Sequence, residues 1–154
     1  MASVDLTVRG GGAFGLCIAW EAVRRGARVR LIEAVQIGAG ASGGIVGALS
    51  PHVPENWNPK KAFQLDSLLM AEGFWAGVAE VSGLPTGYGR VGRVQPLQDA
   101  AAVDLARSRA ETARTLWQGQ AEWRVIPATR GPWEPASPSG RVVQDTQSAR
   151  LHPR

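Results

Sequence analysis

The feature that most constrains this chain is a glycine-spaced turn set between an apolar strand pattern and an apolar helix. Asp5–Arg9 (DLTVR) reads as a short strand, and Gly10-x-Gly12-x-x-Gly15-x-x-x-Ala19 follows it directly. Leu16, Ala19, Trp20 and Val23 recur at spacings of three and four, which predicts an amphipathic helix from Ala13 to about Arg25 with those residues inward, closed by Gly26. Arg28–Ile32 (RVRLI) reads as a second strand. A connection this short forces a parallel, right-handed β-α-β crossover. Thr7, Arg9, Arg28 and Arg30 are polar where a buried parallel strand is apolar, which suggests a sheet exposed on one side or missing a neighbouring surface.

Each glycine of this turn has a physical use. Gly10 permits the tight bend, Gly12 lets backbone approach a diphosphate, and Gly15 with small Ala19 lets the helix lie close to the strands. Unpaired amides at the helix start face an anion. Glu33 ends the second strand 23 residues after Gly10, placed to accept hydrogen bonds from the hydroxyls of an adenosine ribose and to repel a 2'-phosphate. Strand, turn, helix, strand and terminal acid together predict dinucleotide binding.

A second small-residue stretch, Gly38-Ala-Gly-Ala-Ser-Gly-Gly44, continues to Gly47-Ala-Leu49. Nicotinamide enzymes normally pass from the acid into another helix and strand. A second glycine loop is what the longer FAD molecule needs along its diphosphate and ribityl chain, so FAD is favoured over NAD. An NAD-dependent dehydrogenase, or a catalytically silent nucleotide-binding module, stays open as an alternative.

Downstream, residues 35–58 read as a long loop with a helical turn at Gly44–Leu49. Asn58 caps and Pro59 begins a helix to about Val81, with Phe63, Met70, Phe74, Trp75 and Val78 as its core stripe. Val91–Pro96 reads as a strand. Asp99 caps a helix over Ala100–Trp117 with Val103, Ala106, Ala110 and Ala113 inward, and Trp123–Ile126 and Arg141–Gln144 read as further strands. The chain is thus α/β: residues 1–58 read as a Rossmann-like β-α-β unit with its glycine loop, and residues 59–154 as a segment of mixed helices and strands.

Composition narrows the chemistry. One cysteine, Cys17, among 154 residues excludes an internal disulfide and a thiolate metal site and points to a reducing, cytoplasmic setting; inside a helix it reads as a small hydrophobe. The net charge of +4 comes from scattered arginines without a run, so nucleic-acid binding is weakly supported. Val35–Pro54 is uncharged over a membrane-spanning length but holds five glycines and two prolines, which excludes a transmembrane helix. Met1–Val8 carries no secretory pattern. His52 reads as a solvent-facing loop histidine and Lys60–Lys61 as the polar first turn of a helix. Ser42 lacks a nucleophile elbow, and the six tryptophans read as core or interface material.

Gly10–Gly15, Glu33, Ala41-Ser42-Gly43, Gly47-Ala48-Leu49 and Tyr88-Gly89-Arg90-Val91-Gly92 together resemble the N-terminal part of the FAD-dependent D-amino-acid oxidase (DAO) family. The likeness is greatest to glycine oxidases and to the oxidase domain of the bifunctional tRNA 5-methylaminomethyl-2-thiouridine biosynthesis enzyme. The resemblance implies a cofactor site of Gly10, Gly11, Gly12, Ala13, Phe14, Gly15, Glu33, Ala34, Ala41, Ser42, Gly43, Gly47 and Leu49, with no metal. It implies oxidation of an amino acid or secondary amine by hydride transfer to flavin, and a tRNA link through the second relative. Family members have a substrate domain inserted into the FAD domain and complete the FAD sheet with C-terminal chain. The resemblance therefore implies that residues 1–58 are the N-terminal part of the FAD domain and that residues 59–154 lead into an inserted α+β substrate domain. It implies too that the sequence reads as an N-terminal fragment, with His152-Pro153-Arg154 where the first half is still being built and no assigned catalytic residues.

Overall fold

A computed structural model describes residues 3–152; Met1, Ala2, and the Pro153 and Arg154 of the terminal His-Pro-Arg lie outside the described residues. The described chain divides into two compact units, one of residues 3–47 with His152 and one of Ala48–Leu151.

The first unit is the expected crossover. Strand β1 (Leu6–Arg9), helix α1 (Ala13–Arg24) and strand β2 (Val29–Ile32) follow in order, and β1 pairs with β2 in parallel register from Leu6 opposite Val29 to Arg9 opposite Ile32. Gly26, at φ +86°, turns the chain out of the helix. Asp5 anchors the open end, accepting from the Arg28 amide at 2.8 Å and from its guanidinium at 2.9 and 3.0 Å. The expected inward helical face is only partly covered. Ala19 and Trp20 are half-buried, whereas Leu16 and Val23 are exposed, and no residue of α1 is fully buried. A two-stranded ribbon offers too narrow a surface to cover a helix, so the amphipathic pattern is present without its full counterpart. Val8 is the unit's one buried apolar side chain among the described residues. Cys17 is half-buried, and burial, with Glu21 nearby, pushes its thiol up.

The loop after β2 carries a single 3-10 turn at Ala41–Gly43 and then strand β3 (Gly47–Leu49). The turn thus lies earlier than expected, and the expected helical turn at Gly44–Leu49 is extended chain that pairs with the unanticipated β7 (Ala149–Leu151).

In the second unit, α2 (Pro59–Ser82) starts where Asn58 accepts from the Lys61 amide at 3.1 Å and stops at Gly83, whose φ of +69° is left-handed. Its buried face is Leu65, Leu68 and Ala71, while Phe63 and Met70 are exposed, which corrects the expected stripe. The apolar residues of α2 are spread around its circumference, so periodicity alone does not choose a face. Helix α3 (Ala100–Leu116), capped by Asp99, buries Val103, Ala106 and Ala113 as expected. It packs on β5 (Trp123–Pro127), the edge of an antiparallel sheet ordered β4 (Arg93–Pro96), β6 (Arg141–Asp145), β5. Trp117 and Trp123 meet edge-to-face, centroids 6.2 Å apart, within a core that includes Leu65, Leu97, Ala106 and Val143. Trp133, at 96% exposure, belongs to neither core nor described interface.

Asp145 ties this unit together. Fully buried, it accepts from the amides of Gln147 and Ser148 at 3.2 and 2.7 Å, the Ser148 hydroxyl at 3.0 Å and Arg93 Nε at 3.1 Å. Asp145→Asn presents an amide N–H toward one of these donors and removes the charge that the others point to. It should cost about 1.5–3 kcal/mol, measured as a shift of the urea midpoint at unchanged slope.

Candidate functional site

The first unit concentrates its chemistry at the C-terminal ends of β1 and β2. Gly10, at φ +102°, bends the chain out of β1, its amide still donating to the Ile32 carbonyl at 2.8 Å. Gly12, in extended conformation, caps α1 without a side chain, and its carbonyl accepts the first helical bond from Leu16 at 2.9 Å. A Cβ on Gly15 would overlap the Gly10 carbonyl oxygen, and one on Gly43 would overlap the Gly38 carbonyl oxygen. Both glycines are therefore fixed by backbone meeting backbone, which no side-chain movement relieves.

Glu33 points into the turn rather than away from it. Its carboxylate accepts from the Gly11 amide at 2.6 Å and from the Val35 amide at 3.0 Å. These bonds, Val35 first and then Gly11, hold the carboxyl below the usual carboxylate range, so it is ionised at neutral pH. Ser42 reaches the same turn from the second glycine loop, its hydroxyl accepting from the Ala13 amide at 2.9 Å. Gly38, at φ +73°, donates to the Gly11 carbonyl at 2.9 Å. The two small-residue loops thus meet at the N-terminus of α1.

The amides of Gly12, Phe14 and Gly15 have no acceptor among the described residues. They sit where the helix dipole is positive, and the three together make an anion cradle. A carboxylate able to accept from sugar hydroxyls lies one residue from that cradle, on the Gly11 amide. The residues present fit the diphosphate and ribose of a dinucleotide.

Gly10, Gly11, Gly12, Ala13, Phe14, Gly15, Glu33, Ser42 and Gly43 are brought into this one region. Ala34 is exposed beside Glu33, and Ala41 opens the 3-10 turn. Gly47 and Leu49 are on β3, and Leu49 belongs to the second unit. Sequence reasoning missed Ile37, whose Cδ1 lies against Gly11, and the bond from Gly38. The left-handed glycine was the available signal for the latter. His52, in the second unit, is half-buried, its amide donating to Gln64 at 2.9 Å. Among the described residues no cluster of His, Cys, Asp and Glu could hold a metal, and no helix is long and apolar enough to cross a membrane.

Residues 5–154 match the family described as DAO, FAD dependent oxidoreductase. No curated protein matches by sequence. Among solved structures, glycine oxidase from Geobacillus kaustophilus superposes with a TM-score of 0.79 at 19% identity, over 96% of this chain and 40% of that one. L-amino acid deaminase from Proteus myxofaciens gives 0.76 at 21% identity, over 99% and 34%. Iminodiacetate oxidase from Chelativorans sp. BNC1 gives 0.76 at 20% identity, over 97% and 41%. The chain therefore spans 34–41% of the length of these structures, and the likeness is one of fold.

Proposed function

This chain belongs to the DAO family of FAD-dependent oxidoreductases, and from that premise we propose that it forms the dinucleotide-binding front of an enzyme oxidising an amino acid or secondary amine. The observation that carries the reading is the set of open amides at Gly12, Phe14 and Gly15 beside an ionised Glu33. In this reading the three amides hold the diphosphate and the Glu33 carboxylate accepts from the adenosine ribose. Gly10, Gly11, Ala13 and Ala34 shape the turn around them. Ala41, Ser42, Gly43 and Gly47 line the remainder of the cofactor. Bound there, FAD would supply the redox chemistry by accepting a hydride from the carbon bonded to nitrogen. This segment's task is to bind and orient, and no acid or base is asked of it.

The names of the relatives, a glycine oxidase, an L-amino acid deaminase and an iminodiacetate oxidase, support amino acids and related amines as the substrate class. They offer no support for a tRNA connection. In this proposal residues 1–58 are the opening of the FAD domain and residues 59–154 lead toward the substrate domain. A reducing, cytoplasmic setting suits the lone, half-buried Cys17.

The test is cofactor retention. Chain incubated with FAD and freed of excess by gel filtration should keep a visible flavin spectrum, and NAD should compete weakly. Retention of NAD in preference to FAD would move the assignment to a dehydrogenase. Failure to retain any adenine-containing compound would overturn the dinucleotide reading.

A further inference from the structure

The turn's amides fall into two sets, and only one of them is open. Gly11 and Ala13 donate to side chains from outside the turn, Glu33 at 2.6 Å and Ser42 at 2.9 Å, while Gly12, Phe14 and Gly15 find no acceptor among the described residues. The donors alternate along the first part of the sequence: braced, open, braced, open, open. Glu33 also grips the Val35 amide at 3.0 Å, and Gly38 donates to the Gly11 carbonyl at 2.9 Å. Gly11 is thus held at both its amide and its carbonyl. The first unit has one buried apolar side chain among its described residues, so packing does little to fix this turn, and hydrogen bonds must do it.

We propose that Glu33 and Ser42 are positioning residues: by occupying the Gly11 and Ala13 amides they hold the turn in the shape that presents the Gly12, Phe14 and Gly15 amides outward, before any ligand arrives. This role is additional to the contact of Glu33 with a ribose and rests on the dinucleotide reading. It makes a prediction that sugar recognition alone does not. A carboxylate that only accepts from ribose repels a diphosphate, so its removal should leave the affinity for a sugar-free anion unchanged or improved. A carboxylate that braces the turn should weaken that affinity when removed, because the cradle must then be ordered at binding.

The experiment titrates the chain with ADP and with inorganic pyrophosphate by calorimetry, in the original sequence, Glu33→Ala and Glu33→Gln. Bracing predicts that Glu33→Ala binds pyrophosphate roughly tenfold more weakly, the equivalent of one charge-assisted hydrogen bond. Glu33→Gln keeps one acceptor oxygen for Gly11 while giving up the bond from Val35, and should recover most of the pyrophosphate binding. Unchanged or tighter pyrophosphate binding by Glu33→Ala overturns the proposal. Hydrogen exchange of the ligand-free chain gives a second reading. Exchange at Gly11 should quicken several-fold in Glu33→Ala and at Ala13 in Ser42→Ala, with β6 amides unchanged as the control for folding. Wild-type exchange rates at both positions also overturn it. If the original chain binds neither probe, the dinucleotide reading fails, and the exchange rates alone decide whether the two side chains brace the turn.

Discussion

Gly15→Ala is expected to weaken dinucleotide binding roughly 5- to 150-fold while leaving the α3–β5 core intact. The new methyl would overlap the Gly10 carbonyl oxygen, and neither partner can rotate away, because one is helical backbone and the other is the turn itself. Relief requires α1 to move off β1, which moves the amides of Gly12, Phe14 and Gly15 out of register. Overpacking of this kind costs about 1–3 kcal/mol, or roughly 5- to 150-fold in Kd if charged to the bound state. Gly44→Ala is the matched control. A Cβ there would make only ordinary contact, with the Ala41 carbonyl oxygen at 3.8 Å, and affinity should stay within about twofold. Titration of both variants with ADP separates a steric requirement at one glycine from a general need for flexibility in the loops. Equal losses in the two would sink the close-approach argument.

The second large effect concerns stability. Trp117, 1% exposed, ends α3 and packs edge-to-face on Trp123 among Ala106, Ala113, Ala121 and Val143. Trp117→Ala removes the largest fully buried side chain and leaves a cavity that the backbone on both sides cannot close. The loss should be about 3–5 kcal/mol, a large part of the total for a domain of this size. Urea unfolding followed by far-ultraviolet circular dichroism should show the midpoint falling sharply. A change under about 1 kcal/mol would mean that the tryptophan is not the centre of the core.

The sequence announced the crossover and its chemistry because both depend on local rules. Glycines at fixed offsets, a strand on each side and an acid at the end of the second strand specify the turn without reference to the rest of the molecule. Helices α2 and α3 were legible through Asn58, Pro59 and Asp99, whose caps act within one turn. What escaped notice was long-range. The pairing of β3 with β7 joins two strands of three residues, Gly47–Leu49 and Ala149–Leu151, too short for alternation to show. The burial of Leu65, Leu68 and Ala71 in preference to Phe63 and Met70 depends on which neighbours α2 meets, and hydrophobicity ranks the residues in the wrong order. The reach of Ser42 to the Ala13 amide spans 29 residues and has no sequence period at all. Asp145 was the exception that could have been found, since Asp followed three residues later by Ser is a turn signature.

The thin packing around β1 and β2 has a consequence for how occupancy and order are linked. A ligand seated at the α1 terminus would bind where little apolar surface is buried, so much of its binding energy goes into suppressing local opening rather than into raising the melting point of the α3–β5 core. Saturating ADP should therefore slow protease cleavage in residues 10–43 at temperatures where the global transition barely shifts. Warming should empty the turn well before circular dichroism registers any loss of helix.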